Sequence, residues 1–185
     1  MTSRPVRVLI AEDHALVREG TRQIVAADPR IEVVAEACDG QSALDRVDDL
    51  QPDVLLLDLH LPDITGIEVT RRLHQRAAAP RVLILSAYDD DDYVFAAMDA
   101  GARGYLLKTA HGEELIDAIH AVFDGQVVLQ GAIADKLIRG RSDASHTIQE
   151  LDLTERELQV LRMAAVGLRN KEIAESLGLS QRTIE

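Results

Sequence analysis

The chain has 185 residues, a formal charge of −12, 46% hydrophobic residues, 3% aromatics and no tryptophan. This length suits a compact domain plus a small second one, or one larger domain, and the negative charge argues against non-specific attraction to nucleic acid or anionic membranes. No apolar stretch approaches the roughly 18–20 residues of a membrane span, and the short run in MTSRPVRVLIAEDH is too brief for a secretory signal. The single cysteine, Cys38, allows no intramolecular disulfide, so a reducing cytoplasm is the simplest compartment, with Cys38 expected as a small buried apolar side chain.

The charge is unevenly spread: residues 1–125 hold 12 basic and 23 acidic side chains, residues 126–150 hold 3 and 3, and residues 151–185 hold 5 and 6. The acidity belongs to the first part.

Five apolar runs follow in order: VRVLIA (6–11), IEVVAEA (31–37), DVLLLD (53–58), RVLIL (81–85) and GYLL (104–107). The first four are rich in Val, Ile and Leu, as strands buried on both faces of a parallel sheet should be. Between them lie stretches of helical period. One stripe combines Leu16/Val17 with Ile24/Val25, and a second runs through Ala43, Leu44, Val47 and Leu50. A weaker one passes through Ile67, Thr70 and Leu73. Val94, Ala97, Met98 and Gly101 mark a fourth helix, and Leu115, Ala118, Ile119 and Val122 a fifth. Strict βα alternation predicts right-handed crossovers and a (βα)5 doubly wound α/β domain over 1–125.

Residues 126–150 hold one short helical candidate, GAIADKLIRG, then lapse into RSDASHTIQE, which reads as a linker. Over 151–185 the helical period resumes. Thr154 and Glu157 form a capping box, Leu158, Leu161, Ala165 and Leu168 a stripe, and Asn170 and Ser180 cap two further helices. This predicts a small all-α segment.

In an open parallel sheet the working site lies beyond the carboxyl ends of the strands, where strand order reverses. The first run ends in Glu12-Asp13, the third in Asp58, the fourth in Ser86 and the fifth in Lys108. One such residue is explained by turn chemistry, whereas four of complementary type on one edge point to a site. Three crowded carboxylates repel one another, and a hard divalent cation such as Mg2+ removes the conflict. Asp58 could then attack phosphorus in line, with Lys108 charging the phosphoryl oxygens and Ser86 donating a hydroxyl proton. Pro62 fixes φ in the loop after Asp58, and Gly66 is expected there to permit φ > 0. His14 and His60 lack metal spacing and are expected to face solvent. The acidic run Asp89–Asp92 is explained by the start of a helix.

The motifs EDH, DLHLPDITG, SA at 86–87 and GYLLK resemble the receiver domain of two-component response regulators, over residues 6 to about 124. The resemblance implies the flavodoxin-like strand order 2-1-3-4-5, Asp58 as phosphoacceptor, and Mg2+ held by Asp13, Asp58 and the backbone carbonyl of His60, with Glu12 acting through water. It also implies a switch pair, Ser86 and Tyr105, the ring of Tyr105 rotating inward; without it, Tyr105 reads as core packing. Two departures stand out: Glu12 replaces the commoner Asp, and Thr109 follows Lys108 where many receivers have Pro, which weakens the expectation of a cis peptide there.

LTERELQVLRMAAVGLRNKEIAESLGLSQRTIE resembles the LuxR-type helix-turn-helix of NarL/FixJ-type response regulators, which presents its second helix to the DNA major groove. Ser180, Gln181, Arg182 and Thr183 would open that helix. Because the sequence stops at Glu185, the recognition helix is expected to be incomplete and this chain to bind DNA weakly or not at all. The family further implies a sensor histidine kinase as donor and a homodimer on activation, matched to two DNA half-sites. Three other readings compete: an Mg2+-dependent phosphatase using Asp58, a receiver acting by protein contacts without phosphate, and a flavodoxin-type cofactor site. A phosphatase needs a second acid/base, and position 60, two residues after Asp58, holds His rather than a carboxylate.

Overall fold

The computed structural model describes residues 4–76, 78–87 and 90–130. The distal part of the expected linker and the whole helix-turn-helix, with Ser180, Gln181, Arg182 and Thr183, lie outside the described residues.

Strands and helices alternate: β1 (Val6–Ala11), α1 (Ala15–Ala26), β2 (Ile31–Ala37), α2 (Gly40–Leu50), β3 (Val54–Asp58), α3 (Gly66–His74), β4 (Arg81–Ser86), α4 (Asp91–Asp99), β5 (Gly104–Leu107), α5 (Gly112–Phe123) and β6 (Val128–Leu129). The strands form one parallel sheet in the order β2-β1-β3-β4-β5-β6. The expected order 2-1-3-4-5 is present. The sixth strand is an addition, pairing Gly104 with Val128 and Tyr105 with Leu129. At two residues it is too short to leave a period in the sequence.

The two-residue period of the strands sorts the core into two layers. Leu9, Leu55, Leu57, Ile84 and Tyr105 pack with Ala43, Leu44 and Val47 of α2, Val69 and Leu73 of α3, and Val94 and Ala97 of α4. Val8, Ile10, Val54, Leu56, Leu83 and Leu106 pack with Val25 of α1 and Leu115, Ala118, Ile119 and Val122 of α5. Each fully buried aliphatic side chain contributes about 1.5–3 kcal/mol. Both faces of β3 are covered, which accounts for its unbroken aliphatic run.

The expected stripe on α1 is corrected. Leu16 is 85% exposed, Val17 37% and Ile24 41%, and Val25 alone is buried in that helix. Arg18, Gly20 and Thr21 are half-buried. Arg18 is partly covered because its guanidinium reaches the loop that follows β1. Cys38 is likewise exposed rather than buried, its Sγ lying 3.4 Å from Asp39 Oδ2 at the end of the edge strand β2.

Local capping follows the residue types. Asp39 and Thr65 accept the N–H groups of Ser42 and Glu68 at the starts of α2 and α3. Asp90 accepts from Asp92 at the start of α4, as the acidic run predicts. No helix of the described residues is long and apolar enough to cross a membrane.

Candidate functional site

The strand order reverses at β1, which has β2 on one side and β3 on the other. The carboxyl ends of β1 and β3 therefore lie side by side at the switch point. The loop after β1 supplies Glu12 and Asp13, and the last residue of β3 is Asp58. One ligand atom each from Glu12, Asp13, His14 and Asp58 lie within 4.8 Å of one another. Four of the strand-end residues named from the sequence thus converge on one pocket: Glu12, Asp13, Asp58 and, from the end of β5, Lys108.

Lys108 holds the pocket together. Its Nζ donates to Glu12 Oε2 at 2.7 Å and to Asp58 Oδ2 at 2.9 Å. Burial by itself pulls the Lys108 ammonium toward its neutral form; the two hydrogen bonds and the two carboxylate charges outweigh burial and hold its pKa above the ordinary lysine value. Asp58 and Glu12 are buried, their side chains 5% and 6% exposed, while Asp13 is 31% exposed. The His14 Nδ1 lies 2.7 Å from Asp13 Oδ1 and 3.3 Å from Glu12 Oε1, with the ring largely in solvent as expected.

The set suits a hard divalent cation. Three carboxylates face one ammonium, a formal charge of −2, and among the described residues the cluster holds one imidazole, that of His14, and no thiol.

The other expected residues lie around this centre. Ser86 ends β4 and is fully buried, its backbone carbonyl accepting the Lys108 N–H at 2.7 Å. Tyr105 is fully buried with Ile84, Val94 and Ala97, so its ring lies on the inside. His60 is exposed, and its ring meets Tyr93 edge-on at 5.6 Å. Pro62 lies exposed in the loop between β3 and α3. No peptide bond of the described residues is cis, the Lys108–Thr109 bond included.

The role expected of Gly66 is corrected. Its φ is not positive; Gly101 and Gly125 are the described glycines that adopt that region. Gly66 instead opens α3 with its backbone against Asp58, and a Cβ there would overlap the Asp58 carbonyl oxygen and lie 3.0 Å from Leu59 Cα. Close approach, rather than left-handed backbone, requires glycine here.

Two residues around the site carried no signal in the sequence. Arg18 Nη1 donates to the carbonyl oxygens of Glu12 at 2.7 Å and Asp13 at 3.3 Å, while its Nε faces Glu36 Oε2 at 3.4 Å. Asp63 accepts the N–H groups of Gly40 and Gln41 at 2.7 and 2.8 Å. A lone cation on an amphipathic helix and an aspartate beside a proline are both ordinary. Only the tertiary fold brings Arg18 to the acidic loop and Asp63 to the start of α2.

Fold and pocket together define a receiver module, and the comparisons agree. Residues 8–120 match the response regulator receiver domain, and residues 151–185 match the bacterial regulatory proteins of the luxR family. The chain belongs to the two-component response regulators with a LuxR-type DNA-binding domain, a family of transcriptional regulators. It is 38% identical over 181 residues to the transcriptional regulatory protein LiaR of Bacillus subtilis, covering 97% of this chain and 86% of LiaR. It is 40% identical over 181 residues to the nitrate/nitrite response regulator NarP of Escherichia coli, covering 98% and 84%. Among solved structures, ChrA, the response regulator of a heme-sensing two-component system, shares 36% identity at a TM-score of 0.63, covering 98% of this chain and 86% of ChrA. A LuxR-family regulator from Aurantimonas shares 35% at 0.71, covering 75% and 99%.

Proposed function

We propose that Asp58 is the phosphoacceptor and that its phosphorylation by a sensor histidine kinase switches this transcription regulator. The observation that carries the reading is the pocket itself: a nearly buried aspartate at the end of β3, held 2.9 Å from the Lys108 ammonium and beside Glu12 and Asp13.

Asp58 offers a carboxylate oxygen to the phosphorus of an incoming donor. A new P–O bond forms, the bond to the leaving group breaks, and the leaving group takes that electron pair. Lys108 sits where its charge can pass from Asp58 Oδ2 to a phosphoryl oxygen. Asp13, Asp58 and the backbone carbonyl of His60 would hold Mg2+ directly and Glu12 would hold it through water, its charge screening the approach of the anionic donor. Pro62 and Gly66 shape the loop behind the nucleophile. Ser86 would donate its hydroxyl to the phosphoryl group, and Tyr105, whose ring lies on the inside, would complete the switch pair. The conformational equilibrium then shifts because one state accommodates the acyl phosphate better.

In this reading residues 1–125 form the receiver, extended by β6 into the linker of 126–150, and residues 151–185 belong to the LuxR-type helix-turn-helix through which the full-length regulator acts on DNA, with a homodimer forming on activation. Ser180, Gln181, Arg182 and Thr183 would contribute to DNA contact. The chain accepts a phosphoryl group and at most hydrolyses it slowly, without turnover on other substrates, and it works in the cytoplasm.

Intact mass spectrometry of wild type and Asp58→Ala after incubation with acetyl phosphate and Mg2+ tests the assignment. One phosphoryl-sized mass gain, present in wild type and absent in the variant, is expected. A gain that persists in Asp58→Ala overturns it.

A further inference from the structure

The loop from Leu59 to Thr65 carries His60, and one carboxylate ties it to a distant helix. Asp63 Oδ1 accepts the Gly40 N–H at 2.7 Å and Oδ2 accepts the Gln41 N–H at 2.8 Å. These are two of the initial amides that α2 cannot satisfy within itself. Asp39, the residue preceding that helix, takes a third, the Ser42 N–H, at 2.7 Å. Two aspartates therefore serve one helix end, and only Asp63 belongs to the loop behind the phosphoacceptor. Burial alone would push the Asp63 carboxyl up, yet the backbone N–H donors, Gly40 and Gln41 foremost, hold it below the usual carboxylate range. Hydrogen bonds to an ionised acceptor are roughly twice as strong as neutral ones.

Packing reinforces the tie. Ile64 lies so close to Gly40 that a Cβ there would overlap its side chain. At the other end, Gly66 N–H donates to the Leu59 carbonyl at 2.8 Å, beside Asp58. The loop is thus closed on itself beside the nucleophile and anchored to α2 through Asp63 and Ile64. Since α2 already has its own cap in Asp39, the second carboxylate does more than terminate a helix.

We infer that Asp63 is a positioning residue for the phosphoacceptor site: by gripping the Gly40 and Gln41 amides it fixes the loop that presents the His60 carbonyl to a divalent cation. This rests on the reading of Asp58 and its metal pocket given above. Asp63 touches no reacting atom and acts through the loop.

The control is built into the molecule. Asp39→Ala weakens the same helix end without releasing the loop, whereas Asp63→Ala does both. The full chain is compared as wild type, Asp39→Ala, Asp63→Ala and Asp63→Asn, the last retaining one acceptor oxygen. For each, Mg2+ affinity is measured by calorimetry, labelling by acetyl phosphate at sub-saturating Mg2+ by intact mass, and the unfolding midpoint in urea. Both alanine variants are expected to lower the midpoint. Asp63→Ala is expected to weaken Mg2+ binding by about tenfold, the lower end of what loss of a ligand-orienting partner costs, and to slow labelling in proportion. Asp39→Ala should stay within about twofold of wild type, with Asp63→Asn in between. Wild-type affinity and labelling in Asp63→Ala would overturn the inference, as would equal losses in Asp39→Ala. Failure of wild type to label at Asp58 sinks the phosphoacceptor reading instead, and the Mg2+ titration still decides the role of Asp63.

Discussion

Gly66 lies with its backbone against the carbonyl of Asp58, leaving no room between the two for even one methyl group. Because the neighbouring atoms are main chain, Gly66→Ala cannot be relieved by a rotamer change; the end of β3 or the start of α3 has to shift. Overpacking of this kind costs about 1–3 kcal/mol. A lower urea midpoint at unchanged slope is expected. Labelling of Asp58 should slow as well, because the residue displaced is the nucleophile itself. A variant with wild-type midpoint and labelling rate would show that the loop yields freely.

Lys108 bridges two buried carboxylates, Glu12 and Asp58, and offsets part of their charge. Removing one partner of a fully buried pair costs about 3–5 kcal/mol; here the side chain is 21% exposed, so the loss should be smaller. Lys108→Ala also frees Glu12 Oε2 and Asp58 Oδ2 for a cation. The expected outcome has two parts: a lower melting temperature without Mg2+, and a larger rise on adding Mg2+ than wild type shows, with tighter Mg2+ binding by calorimetry. Weaker binding in the variant would mean that Lys108 organises the carboxylates more than it competes for them.

Much of this site was legible because its residues end strands or directly follow them. DVLLLD places Asp58 at a sheet edge by its aliphatic run alone, and the same logic places Glu12, Ser86 and Lys108. What escaped the sequence depends on approach between elements. Gly66 looked like a turn glycine because steric contact with a residue eight positions earlier leaves no local pattern. The stripe Leu16/Val17–Ile24/Val25 satisfied a helical period, yet Val25 alone of the four is buried, and Arg18 of the same helix delivers a guanidinium to the acidic loop. Period reports which residues share a face and not which face the tertiary structure turns inward. Asp63 carries no signal of its own, because its partners lie 22 and 23 positions away.

Arg18 makes a separate prediction. Its guanidinium holds the carbonyls of Glu12 and Asp13, so it fixes the backbone that aims both side chains. Arg18→Gln should weaken Mg2+ binding by about tenfold through loss of that orientation. Arg18→Lys should recover only part, because an ammonium lacks the planar fork of donors. Glu36→Gln should matter less, since Glu36 faces the Arg18 Nε at the longer distance of 3.4 Å and its carboxylate is 36% exposed. Mg2+ titrations of the three variants check the order.

Acid should unfold the domain through carboxylates remote from the pocket. Arg30 grips Asp28 through both side-chain and backbone donors, and His120 of α5 approaches it at 3.2 Å, so the Asp28 carboxyl titrates well below the usual range. The carboxylate of Asp53 is held down in the same direction, its partial burial outweighed by Arg4 and the Arg7 N–H. A carboxyl whose folded pKa is depressed binds its proton first in the unfolded chain. Its stabilisation is complete above the unfolded value of about 3.9 and is lost as pH falls toward the folded value. Urea midpoints should therefore be flat from about pH 7 to 5 and fall steeply below about pH 4. Asp28→Asn should be less stable than wild type at pH 7 and show a shallower fall in acid, the gap between the two curves narrowing steadily as pH drops below about 4. Parallel curves would mean that Asp28 has the same proton affinity folded and unfolded, and that the α1–β2 turn is held to α5 by packing rather than by this carboxylate.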